Sequence, residues 1–547
     1  MADAAESLRG SRHPDGRAGA DAGEIGQRPG AFRSLGRALT SWRTAAVSLL
    51  SFFSGLPFGL VIIAIPDWMA STGMSISVVG LITLAQAPWA FKVLWSPLMD
   101  RYPPPWLGRR RGWAAIAQVA LFALTLMLAG VGHRPDTPWV VAALALAIAF
   151  AGASQDIAVD AYAVDVLRPE EQGAAVGARI ALYRAALFVS GGLSITVAAA
   201  WSWPVVNACL AVAYLAAVAV TWGAPEPERR LPAPTTLRDA VWQPFLGLLA
   251  RHRALEILAF VVLYKFSDQL AQALIRPFLG RMGYSAFDRG FALATVGLGA
   301  TLLGTFLGGF FTTLIGLGHS LWLFGFLQTF ANVGYFVLAG MPVNVPLMYA
   351  ATGLEMFTSG MGTGAFSVLL LRMTQKRFSA TQYALLSSLF GLPRLVAGPL
   401  SGFLVDAVGW RTFFLLTLVF GLPGMVLLAR FVPLGARDPV FTVEPPRRRE
   451  PLTPGELVGR GVAGALVGAA GAALLVGTAL ASKAMREHEG VGFHLGRALI
   501  SLLHPVGGDW LWLAGIVAVG LLAGLFTAAA VAARHGAGQG LADDDGS

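Results

Sequence analysis

Residues 138–167 read PWVVAALALAIAFAGASQDIAVDAYAVDVL. The stretch opens with roughly 20 residues that are almost all apolar, the length that a helix needs to cross the hydrocarbon core of a bilayer. Asp156 and Asp160, at a spacing of four, place two carboxylates on one face of that helix. Charged groups inside a membrane are expensive and mark ion pairs or functional pathways. The stretch therefore predicts a membrane-spanning helix in a protein that handles charge within the bilayer.

The composition of the whole chain agrees with a membrane protein. Of its 547 residues, 55% are hydrophobic and 13% are charged, against roughly 25% charged in a soluble domain. Mean hydropathy is +0.63. Because so little charge is available to cover a surface, the composition excludes a soluble enzyme, a disordered scaffold and a nucleic-acid binder, in spite of a pI near 10.

Cysteine and histidine usage predicts no disulfide, metal or cofactor. Cys209 is the single cysteine of the chain, so neither an internal disulfide nor a CxxC motif can form. His488, His494 and His504 are too widely spaced for a compact metal-ligand pattern. The sequence also lacks GxSxG, HExxH and GxxxxGK[ST] motifs, so we expect no enzyme.

Apolar stretches of about 20 residues predict fourteen membrane spans. They lie at 44–66, 78–98, 113–131, 138–158, 174–200, 204–222, 256–278, 290–314, 318–340, 345–371, 381–405, 411–431, 460–481 and 510–533. The fold class that this pattern predicts is an all-α polytopic membrane protein.

The basic residues predict the orientation of these spans, because Lys and Arg concentrate in cytoplasmic loops. With the N-terminus inside, 28 Lys and Arg fall on the cytoplasmic side, 8 on the other side and 4 within spans. The cytoplasmic set includes runs of arginine at 109–111, 229–230 and 447–449. Both termini are therefore predicted to be cytoplasmic.

Two long polar linkers divide the chain. The predicted units are a disordered cytoplasmic extension at 1–43, an N-terminal six-helix bundle at 44–222, a linker at 223–255, a C-terminal six-helix bundle at 256–432, a linker at 433–459, two additional helices at 460–533 and a cytoplasmic tail at 534–547. A Gly-x-Ser-x4-Gly pattern at 73–80 recurs at 283–290, an offset of 210, which favours two bundles that are internal repeats.

Several ionisable side chains of the first bundle fall within predicted spans. The two aspartates of the opening stretch are flanked by Gln155 and Tyr162, and the fifth span returns from the same side with Arg179 and Arg184. Pairing of Asp with Arg across this hairpin is expected, either as a structural ion pair or as part of a gate or proton pathway. Lys92 lies deep in the second span and either snorkels or points into a substrate cavity.

The second bundle carries a similar set. Lys265 and Asp268 in the seventh span are three positions apart and can pair along the helix. Glu355 in the tenth span and Arg394 in the eleventh are both expected near the middle of the bilayer. Glu355 is the carboxylate we expect to exchange a proton, and a static pair with Arg394 is the alternative. These residues are candidates for the substrate and proton pathway.

The loop after the second span contains candidates for a cytoplasmic gate. Asp100 and Arg101 precede a run that includes Arg109 and Arg110, and such groups can join helix ends through charge-assisted hydrogen bonds. The loop resembles the motif Gly-x3-Asp-Arg-x-Gly-Arg-Arg of the major facilitator superfamily. It departs from that motif in having Ser96 in place of the first Gly and six inserted residues after Arg101.

Four segments resemble one family in particular. They are SGLPFGL at 54–60, QAPWAFKVLWSPLMDRY at 86–102, FAGASQDIAVDAYAVDVL at 150–167 and LYKFSDQLAQALIRPFL at 263–279. Together they are similar to the AmpG-type muropeptide permeases, in the peptide/acetyl-coenzyme-A transporter branch of the major facilitator superfamily. The resemblance extends over roughly residues 44–432.

This resemblance implies a function. It implies import of N-acetylglucosaminyl-1,6-anhydro-N-acetylmuramyl peptides across the bacterial inner membrane, driven by protons, by a monomeric carrier without a cofactor. In some bacteria such import feeds β-lactamase induction. Two alternatives stay open: the same carrier with another cargo, such as a coenzyme-A thioester, another sugar-peptide or a drug, and a membrane assembly factor that transports nothing.

Overall fold

The computed structural model describes residues 36, 40–72, 84–132, 138–228, 232–439, 441, 452–487, 492–505, 509–537 and 541. These residues form helices and turns, with no extended strand among them. Most of the predicted extension at 1–43, the first copy of the glycine–serine repeat at 73–80 and most of the predicted tail at 534–547 lie outside the described residues, and the end of the predicted extension already belongs to the first helix, which begins at Trp42.

The helices of the N-terminal half (residues 44–222) follow the predicted order. They are α1 (Trp42–Ser71), α2 (Ala87–Phe91), α3 (Ser96–Arg101), α4 (Arg109–Gly130), α5 (Pro138–Val166), α6 (Gln172–Ala200) and α7 (Trp203–Gly223). Both α1 and α6 contain a wider helical turn, at Leu60–Ala64 and Phe188–Leu193. Turns of this kind bend a helix and are frequent at functional sites.

The remaining helices form the C-terminal half (residues 256–432), its preceding linker and the chain end. They are α8 (Leu237–Leu249), α9 (Ala254–Leu263), α10 (Phe266–Arg281), α11 (Ala286–Ile315), α12 (Leu317–Leu338), α13 (Val345–Met373), α14 (Ser379–Phe431), α15 (Pro454–Glu487), α16 (Leu495–Leu503) and α17 (Asp509–Arg534).

Within the described residues, eleven helices are long and apolar enough to cross a membrane, so the count of fourteen is not confirmed. The three predicted spans that do not qualify are 78–98, 256–278 and 381–405. The first falls on the short helices α2 and α3, where Pro88 and Pro97 each begin a new segment. The second is divided between α9 and α10. The third is the first part of α14, a helix that turns at Gly409, whose φ of 76° favours glycine.

The first linker is more ordered than a plain connector. Thr236 caps α8 by accepting a hydrogen bond from the backbone N–H of Asp239 at 3.0 Å, as serine and threonine commonly do at helix starts. Phe245 and Leu248 of this helix are 2% exposed in the main core. The linker therefore contributes a helix that packs against the bundle. The proline-rich residues on either side of it gave no indication of this helix in the sequence.

The two additional helices pack closely on each other, as the Gly/Ala density of 460–481 predicts. A Cβ added at Gly464 of α15 would lie 2.3 Å from the Thr527 hydroxyl of α17. Ala529 of α17 is fully buried in the main core. The segment between them contains the helix α16, which is amphipathic.

Candidate functional site

Within the part of the chain that the structure describes, one end of the bundle carries most of the loop arginines, and it is called the basic end here. Here α4 begins at Arg109 and α5 ends at Val166, and α6 and α14 begin at Gln172 and Ser379. The polar groups described below lie at this end or along the helices that lead away from it.

At the basic end Arg110 forms two ion pairs. Its guanidinium lies 2.6 Å from Oδ1 of Asp100 and 3.0 Å from Oδ2 of Asp165. Asp100 is fully buried and Arg110 is 4% exposed. Removing either partner would leave an uncompensated buried charge, so the pair is strongly held.

The same groups reach the C-terminal half. Thr381 donates to Oδ2 of Asp100 from its backbone N–H at 2.9 Å and from its hydroxyl at 2.7 Å. Arg110 donates to the Ser379 hydroxyl at 2.7 Å, and that hydroxyl donates to Asp165 at 2.6 Å. The six residues that join the two halves here are called the gate network: Asp100, Arg109, Arg110, Asp165, Ser379 and Thr381.

Of the four gate candidates predicted from sequence, three take part in this network. Arg109 donates to the backbone carbonyls of Lys376 and Arg377, each at 3.0 Å. Arg101 instead lies over the ring of its neighbour Tyr102, at 5.2 Å from the ring centroid. The six inserted residues therefore leave the gate contacts of Asp100 and Arg110 in place.

Helix backbones also meet at the basic end. A Cβ at Gly309 of α11 would lie 2.6 Å from Cα of Gly177 in α6, so the two helices approach as closely as their backbones allow. Nearby, Arg372 donates to Gln172 of the other half at 3.2 Å and to Asp438 at 2.5 Å. Partial burial opposes ionisation of Asp438, but the hydrogen bond and charge of Arg372 hold its pKa below the ordinary value. The basic end is closed in this conformation.

Further from the basic end along α5, Asp160 lies between two cations. Nζ of Lys92 is 3.2 Å from Oδ2 of Asp160, and Arg179 pairs with Oδ1. Arg179 also lies over the ring of Tyr383 from the C-terminal half, at 5.9 Å from the centroid. The Asp–Arg pair predicted across the α5–α6 hairpin is present, and Lys92 points inward to it.

The other candidates on α5 have different surroundings. Asp156 is 9% exposed and accepts a hydrogen bond from the hydroxyl of Ser54 in α1. Gln155 is fully buried, and both polar atoms of its side chain are without a hydrogen-bond partner among the described residues. Tyr162 donates to the carbonyl of Pro225 in the linker at 2.7 Å and so stands apart from the aspartates.

In the C-terminal half the chain leaves the helical path at Lys265, between α9 and α10. The side-chain amide of Gln328 donates to the backbone carbonyl of Tyr264 at 3.2 Å. This bond provides a partner for a carbonyl at the point where the helix is interrupted. Nζ of Lys265 lies 2.7 Å from Asp268 and donates to Gln328 at 2.9 Å and to the carbonyl of Ser359 at 3.0 Å. The predicted pairing of Lys265 with Asp268 is present.

Glu355 adjoins this pair without a cation of its own. It is fully buried, and its Oε1 accepts a hydrogen bond from Gln272 at 2.9 Å. Gln272 and Asp268 both contact the hydroxyl of Ser359, at 3.1 and 2.6 Å, so Glu355 and Asp268 share one polar cluster. No described basic group lies within 4.0 Å of Glu355, and Arg394 is directed instead toward Gln269 at 3.5 Å.

Several contributing residues were absent from the predicted set. They are Asp165, Gln272, Gln328, Ser359, Ser379, Thr381 and Tyr383. Gln272 and Gln328 could have been found, because an amide inside an apolar span needs a partner. Ser379 and Thr381 carry no such signal, since short hydroxyl side chains can bond their own helix backbone.

The fold and these buried polar layers define a class of helical membrane carrier, and comparison with known families agrees. The model of the Major Facilitator Superfamily matches residues 47–378. The chain belongs to the major facilitator superfamily, in the group that contains the AmpG-type permeases. It is 39% identical over 388 residues to the anhydromuropeptide permease of Escherichia coli strain K12, which covers 71% of this chain and 79% of that protein.

Other relatives support this membership and the fold. A Rickettsia conorii protein named as transporter AmpG 4 is 27% identical over 397 residues, covering 71% of this chain and 96% of its own. The crystal structure of the human organic anion transporter MFSD10 superposes with a TM-score of 0.52 at 15% identity, over 71% of this chain and 99% of that one. A bacterial homologue of the iron transporter ferroportin, in an outward-facing state, gives 0.51 at 13% identity, over 71% and 98%. These structural likenesses concern the fold alone.

Proposed function

We propose that the protein imports N-acetylglucosaminyl-1,6-anhydro-N-acetylmuramyl peptides across the bacterial inner membrane by proton symport, as a monomer. The observation that carries this proposal is the 39% identity to the anhydromuropeptide permease of Escherichia coli over 388 residues. The buried carboxylates and cations of the pathway support it, because the cargo bears both sugar hydroxyls and peptide charges.

The proposed topology has fourteen spans and two six-helix bundles, at 44–222 and 256–432, that move against each other around a central site. Eleven helices of sufficient length and apolarity in the described residues support this count, together with the interrupted segments α2–α3, α9–α10 and the first part of α14. The excess of Lys and Arg at the basic end supports a topology in which that end, and both termini, are on the cytoplasmic side. The closed gate network then leaves the pathway accessible from the periplasm.

For the proton we propose Glu355. Burying a carboxylate without a cation costs several kcal/mol, and binding a proton removes that cost. Lys265 already neutralises Asp268 at 2.7 Å, whereas Glu355 has the neutral amide of Gln272 at 2.9 Å. Taking up and releasing a proton there would alter the cluster that joins α10 to α13.

Uptake by purified protein in proteoliposomes tests the whole proposal. Radiolabelled anhydromuropeptide should accumulate when an inward-directed pH gradient is imposed and should stop accumulating when a protonophore collapses it. Uptake that ignores the gradient would refute proton coupling. If the protein takes up a coenzyme-A thioester, another sugar-peptide or a drug but not the muropeptide, the proposed cargo is refuted. Absence of all flux, with co-purification of a partner complex, would favour an assembly factor.

A further inference from the structure

Two arginines in the interior of the bundle have no acidic partner. No described carboxylate lies within 4.0 Å of the guanidinium of Arg184 or Arg394. Nε of Arg184 is buried and has no hydrogen-bond partner. Nε of Arg394 has one long contact, 3.5 Å to the amide oxygen of Gln269. Every other basic side chain that the pathway uses, namely Lys92, Arg110, Arg179 and Lys265, lies within 4.0 Å of a carboxylate.

The two arginines come from different halves and lie at similar depth. Arg184 is on α6 and Arg394 on α14, and both helices start at the basic end. At 1.5 Å per residue they lie roughly 18 and 22 Å from those starts, well inside a hydrocarbon core of about 30 Å. Arg394 is nonetheless exposed, so its guanidinium is accessible to a ligand at this depth.

The two positive charges act on each other. Arg184 lies within range of the repelling charge of Arg394 and, more weakly, of the opposite charge of Asp268. The hydroxyl of Tyr183 lies within range of both arginines and also of the carboxylates of α5. Two cations that lie near each other, neither with a described carboxylate within 4.0 Å, attract an anion. Guanidinium groups also match a carboxylate geometrically, since each can donate two parallel hydrogen bonds.

We propose that Arg184 and Arg394 form a carboxylate-binding site shared by the two halves, completed by Gln269 and Tyr183. That the site takes an anion follows from the unpaired charges. That the anion is a free carboxylate of the cargo peptide rests in addition on the proposed function. Because one arginine belongs to each half, a carboxylate held between them opposes their repulsion and draws α6 and α14 together.

The first experiment asks whether an anion binds, independently of any cargo. The melting temperature of the purified full-length protein in nanodiscs is measured with increasing glutarate, at constant ionic strength. Glutarate should raise the melting temperature of the wild type and of Arg411→Gln, a control whose guanidinium lies over the ring of Phe336 at 4.9 Å. The increase should be lost in Arg184→Gln and in Arg394→Gln. An equal increase in these two variants, or none in the wild type, would overturn the site.

Folding of the variants is checked by the same measurement. Since removing one arginine relieves repulsion, the Gln variants should melt without glutarate at or above the wild-type temperature. Arg184→Lys and Arg394→Lys keep the charge without the paired donors and should retain part of the glutarate effect. A Lys variant that melts like the wild type but shows no glutarate effect at all would contradict a charge-based site.

The second experiment concerns the cargo. Uptake is compared for an anhydromuropeptide with free peptide carboxylates and for the same compound with those carboxylates amidated. Either Gln variant should raise KM for the acid about tenfold or more, the loss expected for a charge-assisted hydrogen bond, and leave KM for the amide unchanged. Equal effects on both compounds would refute cargo binding here. If the wild type takes up neither, the proposed function fails, and the glutarate titration alone decides the anion site.

Discussion

Asp100 and Thr381 are separated by 281 positions in the chain, yet Thr381 donates two hydrogen bonds to one carboxylate oxygen of Asp100, at 2.9 and 2.7 Å. The contact joins the end of α3 to the start of α14 and is fully buried on both sides. It exists when the two halves meet at the basic end. The conformation of the whole carrier can therefore be followed through this one pair of residues.

Asp100→Asn should weaken closure of the basic end. The change removes the charge that faces Arg110 at 2.6 Å and leaves that buried cation less compensated, a loss of about 3–5 kcal/mol. A cysteine introduced at Ser379 should then react faster with a membrane-impermeant maleimide added from the basic side. Arg101→Gln, which alters a residue outside the gate network, should leave the reaction rate unchanged. Equal rates in wild type and Asp100→Asn would contradict the assigned gate.

Gly309→Ala should oppose closure by a different route. Its Cβ would lie 2.6 Å from Cα of Gly177, and backbone atoms cannot yield as a flexible side chain can. Overpacking of this kind costs about 1–3 kcal/mol. Gly299→Ala is the matched control, because it lies on the same helix with nothing within 4 Å of the added carbon. The melting temperature should be lower than that of the wild type in Gly309→Ala and unchanged or higher in Gly299→Ala. The reverse order would show that α6 and α11 are not in contact.

Glu355→Gln should separate binding from coupling. The amide keeps the shape of the neutral acid beside Gln272 but cannot release a proton. Cargo should still bind within about twofold of the wild-type affinity, while uptake should no longer increase when a pH gradient is imposed. Glu456→Gln, at an exposed carboxylate near the start of α15, should behave as the wild type. If Glu355→Gln keeps gradient-driven uptake, another carboxylate must carry the proton.

Lys265 and Asp268 should behave as one unit. Lys265→Met or Asp268→Asn alone leaves a buried charge unpaired and should lower the free energy of unfolding by about 3–5 kcal/mol. The double variant should be more stable than the sum of the single losses predicts, because neither charge is then left alone. Urea unfolding in mild detergent gives the four stabilities of the cycle. Strict additivity would mean that the 2.7 Å contact carries no coupling.

Deleting residues 454–547 should destabilise the linker side of the bundle without abolishing the fold. The deletion uncovers the surface of α8 that α17 covers, and it removes the contact of Gln375 with the carbonyl of Leu541 at 2.8 Å. The melting temperature should fall by several degrees, with uptake retained. The variant Gln375→Ala in the full-length chain removes this bond together with the one that its side chain accepts from Gln382 at 2.8 Å, and it should still have a smaller effect than the deletion. A truncated protein as stable as the full chain would mean that α15–α17 pack without supporting the core.

The sequence predicted those features that depend on local spacing. Apolar length located the long helices, the i,i+3 spacing located the Lys265–Asp268 pair, and the short hairpin between α5 and α6 located the pair of Asp160 with Arg179. Each of these follows from the geometry of one helix or of two neighbours in the chain.

Features that depend on distant residues were not predictable in the same way. The break at Lys265 is stable because Gln328, 63 positions further on, donates to the helix that ends there. The hydroxyls of Ser379 and Thr381 complete the gate only when the two halves meet. No pattern within either segment reveals such a partner, since serine and threonine occur in helices without any functional role.

The charged and the neutral groups of the gate network come from different bundles. All its ionised side chains, Asp100, Arg109, Arg110 and Asp165, belong to the first bundle, whereas the second contributes hydroxyls and backbone carbonyls. When the two bundles separate, each charged side chain keeps its oppositely charged partner within the first bundle. Water can then replace the hydrogen bonds to the second bundle that break. Such an interface can be opened and re-formed repeatedly, and its strength should depend little on the salt concentration of the surrounding solution.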